Sequence, residues 1–170
     1  MAPDARWRIE TIKKQYQKDE FDCGNPNLND YLKKYARQNH EKGIAKTFVA
    51  IAGESKKVAG YYTLSSSTIE YGSLPDSYRA KLPSYPIPAI LIGKLAVDIS
   101  SQRQGLGGYL LADAATRALK ISQEIGVYAI RVDALDDRAK AFYLEYEFIA
   151  FQNIKLSLFL PIATVGKLFS

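Results

Sequence analysis

The chain has 170 residues and a formal net charge of +5, and this length is typical of one domain. With 47% hydrophobic and 24% charged residues, its composition is that of an ordinary soluble globular protein. A single cysteine and a single histidine exclude an intrachain disulfide and argue against zinc sites and against Ser-His-Asp or Cys-His catalysis, so we expect no metal. We predict that Cys23 is a small, partly buried residue and that His40 is a solvated helix residue.

Positive charge is concentrated near the N-terminus, where residues 1–60 hold 12 lysines and arginines against 8 acidic residues, a net +4. This asymmetry indicates an anionic partner such as RNA, although a plain solvated surface would give the same numbers. The first fourteen residues lack the apolar stretch of a signal peptide, and no long uncharged apolar run occurs. We therefore expect a cytoplasmic protein with no membrane association.

The first elements in chain order are a strand, a helix and two further strands. Alternating apolar residues in 6–14 predict the strand, and Asn25 or Asn27, followed by Gly43, marks the two ends of the helix. Residues 45–53 and 56–70 predict two strands joined by a short turn. Apolar residues recur at helical spacing and predict one buried stripe on the helix: Leu28, Tyr31, Leu32, Tyr35 and Ala36.

The second half of the chain begins with a proline-rich segment, 71–89, which predicts a long loop with one helical turn around 75–81. The apolar segment 89–99 predicts a buried central strand. An amphipathic helix is predicted from Leu106 to Ile125, ended by Gly126. The predicted elements that follow are a strand at 127–135, an aspartate-capped helix at 136–148, and strands at 148–152 and 154–162, the last with alternating Ile154, Leu156, Leu158 and Leu160.

This order predicts an α/β fold with a mixed central sheet of about six to seven strands and helices on both faces. The strand–helix–strand unit from 90 to 133 should be parallel and right-handed. We find no internal repeat, low-complexity tract or linker, so we predict one domain over 1–170.

The segment 101–110, SQRQGLGGYL, places three glycines where the long helix begins. A dinucleotide fingerprint fails because position 110 is leucine, and a P-loop fails because no lysine follows the glycines. A strand, a glycine turn and a helix N-terminus nevertheless suit a phosphate, because free amides converge there and glycines admit close approach. A simple turn explains the glycines equally well.

Gln102, Gly105 and Gly107 match the Q/R-x-x-G-x-G/A signature, so the chain resembles the Gcn5-related N-acetyltransferases (the GNAT superfamily). The resemblance implies a GNAT fold in which this loop binds the pyrophosphate of acetyl-CoA and the preceding strand pairs with the pantetheine arm. Segment 139–148, AKAFYLEYEF, resembles the A-x-x-F-Y-x-x-x-G-F helix, which implies that Tyr143 is the acid that protonates the coenzyme A sulfur. The implied acetyl-CoA residues are Leu95, Ala96, Val97, Gln102, Arg103, Gln104, Gly105, Leu106, Gly107 and Gly108.

Segments 21–32, 61–69, 82–98, 105–114 and 158–162 further resemble the acetyltransferase toxins of bacterial toxin–antitoxin pairs. The resemblance implies acetylation of the α-amino group of aminoacyl-tRNA, a block of translation, neutralisation by a ribbon-helix-helix antitoxin, operator DNA bound through the antitoxin complex, and a homodimer. Two residues depart from the pattern: Lys94 stands where these toxins usually carry arginine, and Glu147 replaces the usual glycine before Phe148. Candidate tRNA contacts are Lys33, Lys34, Arg37 and Lys94.

Two other functions stay open from the sequence. One is a GNAT enzyme that acetylates a small amine or a protein N-terminus, and the other is a non-catalytic binding or repressor module on the same fold. No histidine or glutamate stands out as a general base. This absence suits an aminoacyl-tRNA substrate, because an α-amino group titrates near 7.7–8.0 whereas lysine titrates near 10.4.

Overall fold

The computed structural model describes residue 4 and residues 6–169. Residues 1–3 and 5, part of the segment examined for a signal peptide, and residue 170 lie outside the description. Within the described part, seven strands form one mixed sheet in the order β1-β2-β3-β4-β5-β7-β6. The strands are β1 Trp7–Thr11, β2 Lys46–Ala52, β3 Val58–Ile69, β4 Ile87–Val97, β5 Ala129–Asp133, β6 Ile149–Ala150 and β7 Ser157–Pro161. The helices are α1 Pro26–Asp30, α2 Ala36–Lys42, α3 Asp76–Arg79, α4 Leu106–Ile121, α5 Asp137–Glu145 and α6 Ile162–Phe169.

The predicted α/β class and element order are confirmed, and β4 pairs with β5 in parallel as expected. The β1–β2 and β2–β3 pairs are antiparallel, as are β5–β7 and β6–β7. None of the helices formed by the described residues is long and apolar enough to cross a membrane.

The first predicted helix forms, with Asn25 as its cap and Gly43 at its end. The Asn25 side chain accepts a hydrogen bond from the Leu28 amide, and Gly43 adopts the left-handed conformation at φ 74°. Between α1 and α2 the chain forms a π-helical segment, Tyr31–Tyr35, that the spacing did not predict. The prediction of one buried stripe is therefore wrong at Tyr35, which is 54% exposed, because the wider π turn changes the face on which it lies.

The prediction that His40 is a solvated helix residue is wrong. Its side chain is half-buried, and its Nδ1 accepts a hydrogen bond from the backbone amide of Thr47, the second residue of β2. Burial lowers the pKa of His40, and the nearby positive charge of Lys46 lowers it further. The imidazole therefore attaches α2 to the start of β2 in its neutral form.

Several boundaries differ from their predictions, and β1, β5, α5 and β6 are all shorter than expected. β4 begins at Ile87, inside the expected loop, although the expected helical turn forms as α3. Helix α4 ends at Ile121 instead of Ile125, and the Ser122 hydroxyl donates to the Leu119 carbonyl at 2.5 Å, where a continuing helix would place a backbone amide. β7 begins at Ser157, so Ile154 lies outside it, and α6 was not predicted.

The chain divides into two compact units, the first from Met1–Ser65 and Gly93–Ala114, the second from Ser66–Ile92 and Ala115–Ser170. Each unit has its own apolar cluster. The cluster in the first unit includes Leu32, Val49, Ile51 and Tyr61, and the cluster in the second includes Ile69, Leu74, Ala129 and Phe159. A single domain over 1–170 stays a prediction.

Gly60 on β3 allows the beginning of α4 to lie close against the sheet in the first unit. A Cβ at this position would stand 3.0 Å from the Ala96 carbonyl oxygen and from the Leu110 side chain, and 3.2 Å from Leu106. Real Cβ atoms rarely approach a neighbour so closely, so a side chain here would push these neighbours away by a few tenths of an ångström. The close approach sets the position of the first turn of α4 beside the end of β4.

Candidate functional site

The glycine segment begins with a loop that its own side chains hold in place. Asp98 follows β4 and caps a short 3₁₀ turn, Ile99–Ser101, by accepting a hydrogen bond from the Ser100 amide. The Gln102 side-chain amide donates to the carbonyl oxygens of Val97 at 2.9 Å and Cys23 at 3.2 Å. Gln102 therefore ties the loop to the end of β4 and to the segment before α1.

A second set of hydrogen bonds joins the same two segments. The Asp22 amide donates to the Asp98 carboxylate at 2.8 Å, and the Ile99 amide donates to the Asp22 carbonyl at 2.8 Å. The Asp22 carboxylate in turn accepts from the Gly24 amide and from the Asn29 side chain. Sequence reasoning missed this support for the loop, although the Asp and Asn side chains in DCGNPNLN are of the type that bonds nearby backbone.

These hydrogen bonds also stabilise the charged forms of both carboxyl groups. The pKa of Asp22 lies below its usual value because the Gly24 amide and the Asn29 side chain donate to its carboxylate. Burial raises the pKa of Asp98, but hydrogen bonds from Ser100 and from the Asp22 amide outweigh burial and lower it. Burial raises the pKa of the Cys23 thiol, which is partly buried as predicted.

The N-terminus of α4 is open toward the loop. The Tyr109 amide is the first to donate within the helix, to the Gly105 carbonyl at 3.1 Å. The amides of Leu106, Gly107 and Gly108 precede it, and amides in the first helical turn have no intrahelical acceptor. Three converging amides and the helix dipole favour an anion at this point.

Gly105 has the left-handed conformation at φ 87°, and apart from its chain neighbours no atom of the described residues lies within 4 Å of where its Cβ would stand. The glycine is therefore required by the backbone conformation, and the open space leaves room for a ligand to approach the backbone. Arg103 also has a positive φ, 63°, which is uncommon for a residue with a side chain. The loop is thus a sharply turned segment with two left-handed residues.

The end of β4 lies beyond its ladder with β5. The pairs of this ladder join Ala89–Ile92 to Ala129–Val132, and none of them involves Leu95, Ala96 or Val97. On the β3 side, the Lys94 amide donates to the Thr63 hydroxyl at 3.0 Å, and the Asp98 amide donates to the Ala59 carbonyl at 2.8 Å. The end of β4, expected to pair with the pantetheine arm, and the glycine loop therefore lie together in the first unit.

Lys94 is half-buried, and no acidic partner pairs with it among residues 6–169. Its Nζ lies 4.1 Å from the centroid of the Tyr31 ring, close enough for a cation–π interaction. Tyr31 in turn stacks on Tyr61, with ring centroids 6.4 Å apart. Burial lowers the pKa of Lys94.

The other three predicted tRNA contacts lie on the surface of the first helical region. Lys34 and Arg37 make long ion pairs with Asp30 at 3.7 Å and with Glu41 at 3.9 Å, and such exposed pairs contribute little. Lys33 lies one residue before Lys34 and is half-buried. The structure thus places Lys33, Lys34, Arg37 and Lys94 all in the first unit.

Tyr143 lies in the second unit, on α5, whose N-terminus is capped by Asp136 as predicted for an aspartate. Its ring is buried between Phe142 and Phe148, with centroid distances of 5.2 and 5.3 Å. Burial raises the pKa of its hydroxyl. No hydrogen-bond partner of that hydroxyl is found in the part of the chain that the structure describes, so the proton is retained and uncommitted.

Glu147 follows α5 in the left-handed conformation, at φ 68°. The amides of Glu147 and Phe148 donate to the Leu144 and Tyr143 carbonyls, an arrangement that ends a helix and usually employs glycine. The departure noted in the sequence therefore falls where a side chain strains the backbone.

Comparisons with known proteins identify the group to which this arrangement belongs. No family model matches the chain. The tRNA-acetylating toxin of Mycobacterium tuberculosis is 41% identical to it over 128 residues, which are 75% of each chain. The probable toxin TacT of Sinorhizobium fredii is 29% identical over 162 residues, 91% of this chain and 90% of its own.

Solved structures with a similar fold belong to proteins of the same kind as these relatives. A tyrosine-to-phenylalanine variant of KacT superposes with a TM-score of 0.92 at 34% identity, covering 96% of this chain and 99% of its own. AtaT complexed with acetyl-methionyl-tRNAfMet gives a TM-score of 0.89 at 31% identity, with the same coverage.

Two further structures of these proteins contain partners. A tyrosine-to-phenylalanine variant of AtaT bound to the C-terminus of the antitoxin AtaR and acetyl-CoA gives 0.83 at 28% identity, covering 97% of this chain and 99% of its own. The KacTA–DNA complex gives 0.82 at 32% identity, covering 96% and 98%. The chain therefore belongs to the acetyltransferase toxins of bacterial toxin–antitoxin systems, within the GNAT superfamily.

Proposed function

We propose that this protein is a toxin that transfers the acetyl group of acetyl-CoA to the α-amino group of aminoacyl-tRNA and thereby blocks translation. The observation that carries the proposal is the anion site at the N-terminus of α4, where the left-handed Gly105 opens the backbone and Gln102 holds the loop. This anion site occurs in a chain that is 41% identical, over 128 residues, to a tRNA-acetylating toxin.

The residues present fit acetyl-CoA. The first-turn amides of α4 suit a pyrophosphate, and the loop that would hold it comprises Gln102, Arg103, Gln104, Gly105, Leu106, Gly107 and Gly108. Leu95, Ala96 and Val97 would bind the pantetheine arm through their backbone groups, which lie outside the described β4–β5 pairs. Bound acetyl-CoA supplies the activated acetyl group, and the β4 amides would orient the thioester and polarise its carbonyl.

Tyr143 is the general acid of this proposal, assigned from the resemblance of its helix to the family segment. Its buried environment raises the pKa of the hydroxyl, so the group keeps its proton at neutral pH. A phenol held protonated and without a described partner can give that proton to the departing thiolate.

The acceptor amine supplies its own reactivity. An α-amino group titrates near 7.7–8.0, and esterification of the neighbouring carboxyl group lowers that value further. A large neutral fraction is therefore present near pH 7.5, and a strong protein base is dispensable. A lysine side chain, which titrates near 10.4, would depend on such a base.

The tRNA would contact the basic surface of the first unit. Lys33, Lys34 and Arg37 are placed to meet phosphates, and Lys94 offers a half-buried cation without an acidic partner. Burial lowers the pKa of Lys18, and repulsion from Arg37 lowers it further.

The partners of this toxin are a ribbon-helix-helix antitoxin and, through the toxin–antitoxin complex, operator DNA. The AtaR and DNA complexes of AtaT and KacT support both assignments. We further propose that the protein is a single domain, forms a homodimer and acts in the cytoplasm, where charged tRNA is present.

The test is expression without the antitoxin, compared with Tyr143→Phe. The wild type should arrest growth, the variant should not, and purified wild type should modify aminoacyl-tRNA. A harmless wild type that leaves charged tRNA unmodified but acetylates small amines or peptide N-termini would contradict the proposal. Calorimetry that shows no binding of acetyl-CoA would contradict any catalytic function.

A further inference from the structure

Tyr35 is an exposed aromatic residue of the first unit that the functions above do not use. It ends the π-helical segment Tyr31–Tyr35, and more than half of its side chain is exposed. No hydrogen-bond partner of its hydroxyl is found among residues 6–169. The exposed part of this ring is not buried by the protein, so a ligand could cover it.

The π-helical geometry is itself informative. Such segments are rare, and they occur frequently at functional sites. Here the segment leaves Leu32 fully buried while Tyr35 faces outward. The centroids of the Tyr31 and Tyr35 rings are 6.5 Å apart, with their planes 36° from parallel. The two rings thus form a short aromatic row that runs from the helix surface inward.

The inner end of this aromatic row lies beside Lys94 of β4, the strand proposed to bind acetyl-CoA. The Lys94 ammonium lies over the Tyr31 ring at 4.1 Å, and Lys94 directly precedes Leu95 on β4. The positive charge of Lys94 is partly desolvated and has no described acidic partner. A half-buried cation in this position is stabilised by an anion, and the aromatic row leads from the surface to it.

The charges beside Tyr35 fit a nucleic acid. Lys34 precedes it and Arg37 follows it by two residues, and the ion pairs of these cations with Asp30 and Glu41 are long and exposed. Exposed ion pairs exchange easily for a phosphate because they contribute little to stability. An exposed aromatic ring flanked by cations is the arrangement by which proteins bind unpaired nucleotides.

We propose that Tyr35, Tyr31 and Lys94 form a binding site for an unpaired nucleotide at the acceptor end of the tRNA. A base stacks on the exposed face of Tyr35, and Lys94, held over Tyr31, neutralises a phosphate of the same single strand. The inference rests on the proposed function. In it, this site guides the aminoacyl end of the tRNA along the helix surface toward Leu95 on β4.

The test measures steady-state acetylation with the full-length protein. Tyr35→Ala should raise the KM for aminoacyl-tRNA roughly tenfold and leave kcat and the KM for acetyl-CoA unchanged. Tyr35→Phe should keep the wild-type KM, because the ring is retained. Tyr35→Leu should behave as Tyr35→Ala, and Ile44→Ala, at another exposed apolar residue of the same unit, should have no effect.

A direct readout separates this inference from the proposed function. An uncharged tRNA with 2-aminopurine at its unpaired 3′ end should lose fluorescence on binding the wild type and Tyr35→Phe, but not on binding Tyr35→Ala. An unchanged KM and equal quenching in Tyr35→Ala would overturn the inference, as would a wild-type KM in Tyr35→Leu. A wild type that quenches the probe but acetylates no charged tRNA would refute the proposed function and leave the nucleotide site supported.

Discussion

The side-chain amide of Gln102 donates a hydrogen bond to the Val97 carbonyl at 2.9 Å, and so joins the first residue of the proposed acetyl-CoA loop to the last residue of β4. The same amide reaches Cys23. Gln102 was expected as a contact of acetyl-CoA, but its amide group is already engaged with the protein. We propose that these two hydrogen bonds position the loop for acetyl-CoA.

Replacing Gln102 should weaken acetyl-CoA binding without affecting the acceptor. Gln102→Met retains the size of the side chain and removes both hydrogen bonds, so the KM for acetyl-CoA should rise about tenfold. The KM for aminoacyl-tRNA should not change. Gln123→Met, in an exposed turn after α4, is the matched control. Equal acetyl-CoA KM values for both variants would show that the tether does not position the loop.

A substitution at Gly105 tests the proposed anion site at the N-terminus of α4. Gly105→Val places a branched side chain at φ 87°, which costs about 1–2 kcal/mol, and directs bulk into the open space beside the loop. Acetyl-CoA affinity, measured by calorimetry, should fall at least about tenfold while the circular dichroism spectrum stays that of a folded protein. Gly126→Ala, where the φ is ordinary and a Cβ meets nothing, should bind as the wild type does. Retained affinity in Gly105→Val would mean that the glycine only forms a turn.

Replacing Glu147 with glycine should stabilise the protein. Glu147→Gly relieves a left-handed residue at φ 68° and should raise the free energy of unfolding by about 1 kcal/mol. Glu145→Gly, two residues earlier in the last turn of α5, should lower it by about 1 kcal/mol. Urea unfolding of both variants measures the difference. A loss of stability in Glu147→Gly would show that its side chain makes a contact worth more than the strain.

The strand and helix order could be predicted because hydrophobic periodicity and end signals agree in most elements. Asn25, Gly43 and Asp136 all cap helices, as expected from their residue types. The boundaries at Ile121 and Ile87 were missed because a Ser122 hydroxyl bond ends one helix and a strand tolerates Pro88. Helical spacing assumes 3.6 residues per turn, so it could not place Tyr35 in a π-helical segment.

The glycine loop was found because a phosphate site needs residues of a recognisable type in consecutive positions. Its supports were missed because they are distant in sequence. Asp22 bonds Asp98 across 76 residues, and Gln102 bonds Cys23 across 79. Gly60 gives no local sign that α4 lies against it. Periodicity cannot pair such residues, since only the folded chain brings them into contact.

The lowered pKa of His40 should make the stability of the protein depend on pH. Its folded-state pKa is lowered by burial and by Lys46, so between that value and about 6.5 the unfolded chain binds more protons. The stabilisation is complete above about pH 6.5 and is lost as the pH falls through the folded pKa. The free energy of unfolding should therefore decrease from pH 7.5 to pH 5.5, and by less in His40→Gln, which cannot titrate. Equal decreases in both proteins would contradict this assignment.

The most direct test of the account is acetyl transfer to charged tRNA in vitro. Purified wild type and Tyr143→Phe are incubated with radiolabelled acetyl-CoA and a pool of aminoacyl-tRNAs, and the label is located by mass spectrometry after deacylation. The wild type should place acetyl on the α-amino group of the amino acid, and Tyr143→Phe, folded and with unchanged KM values, should have a kcat lower by about 10²–10⁴-fold. Label absent from every charged tRNA, or undiminished transfer by Tyr143→Phe, would contradict the account.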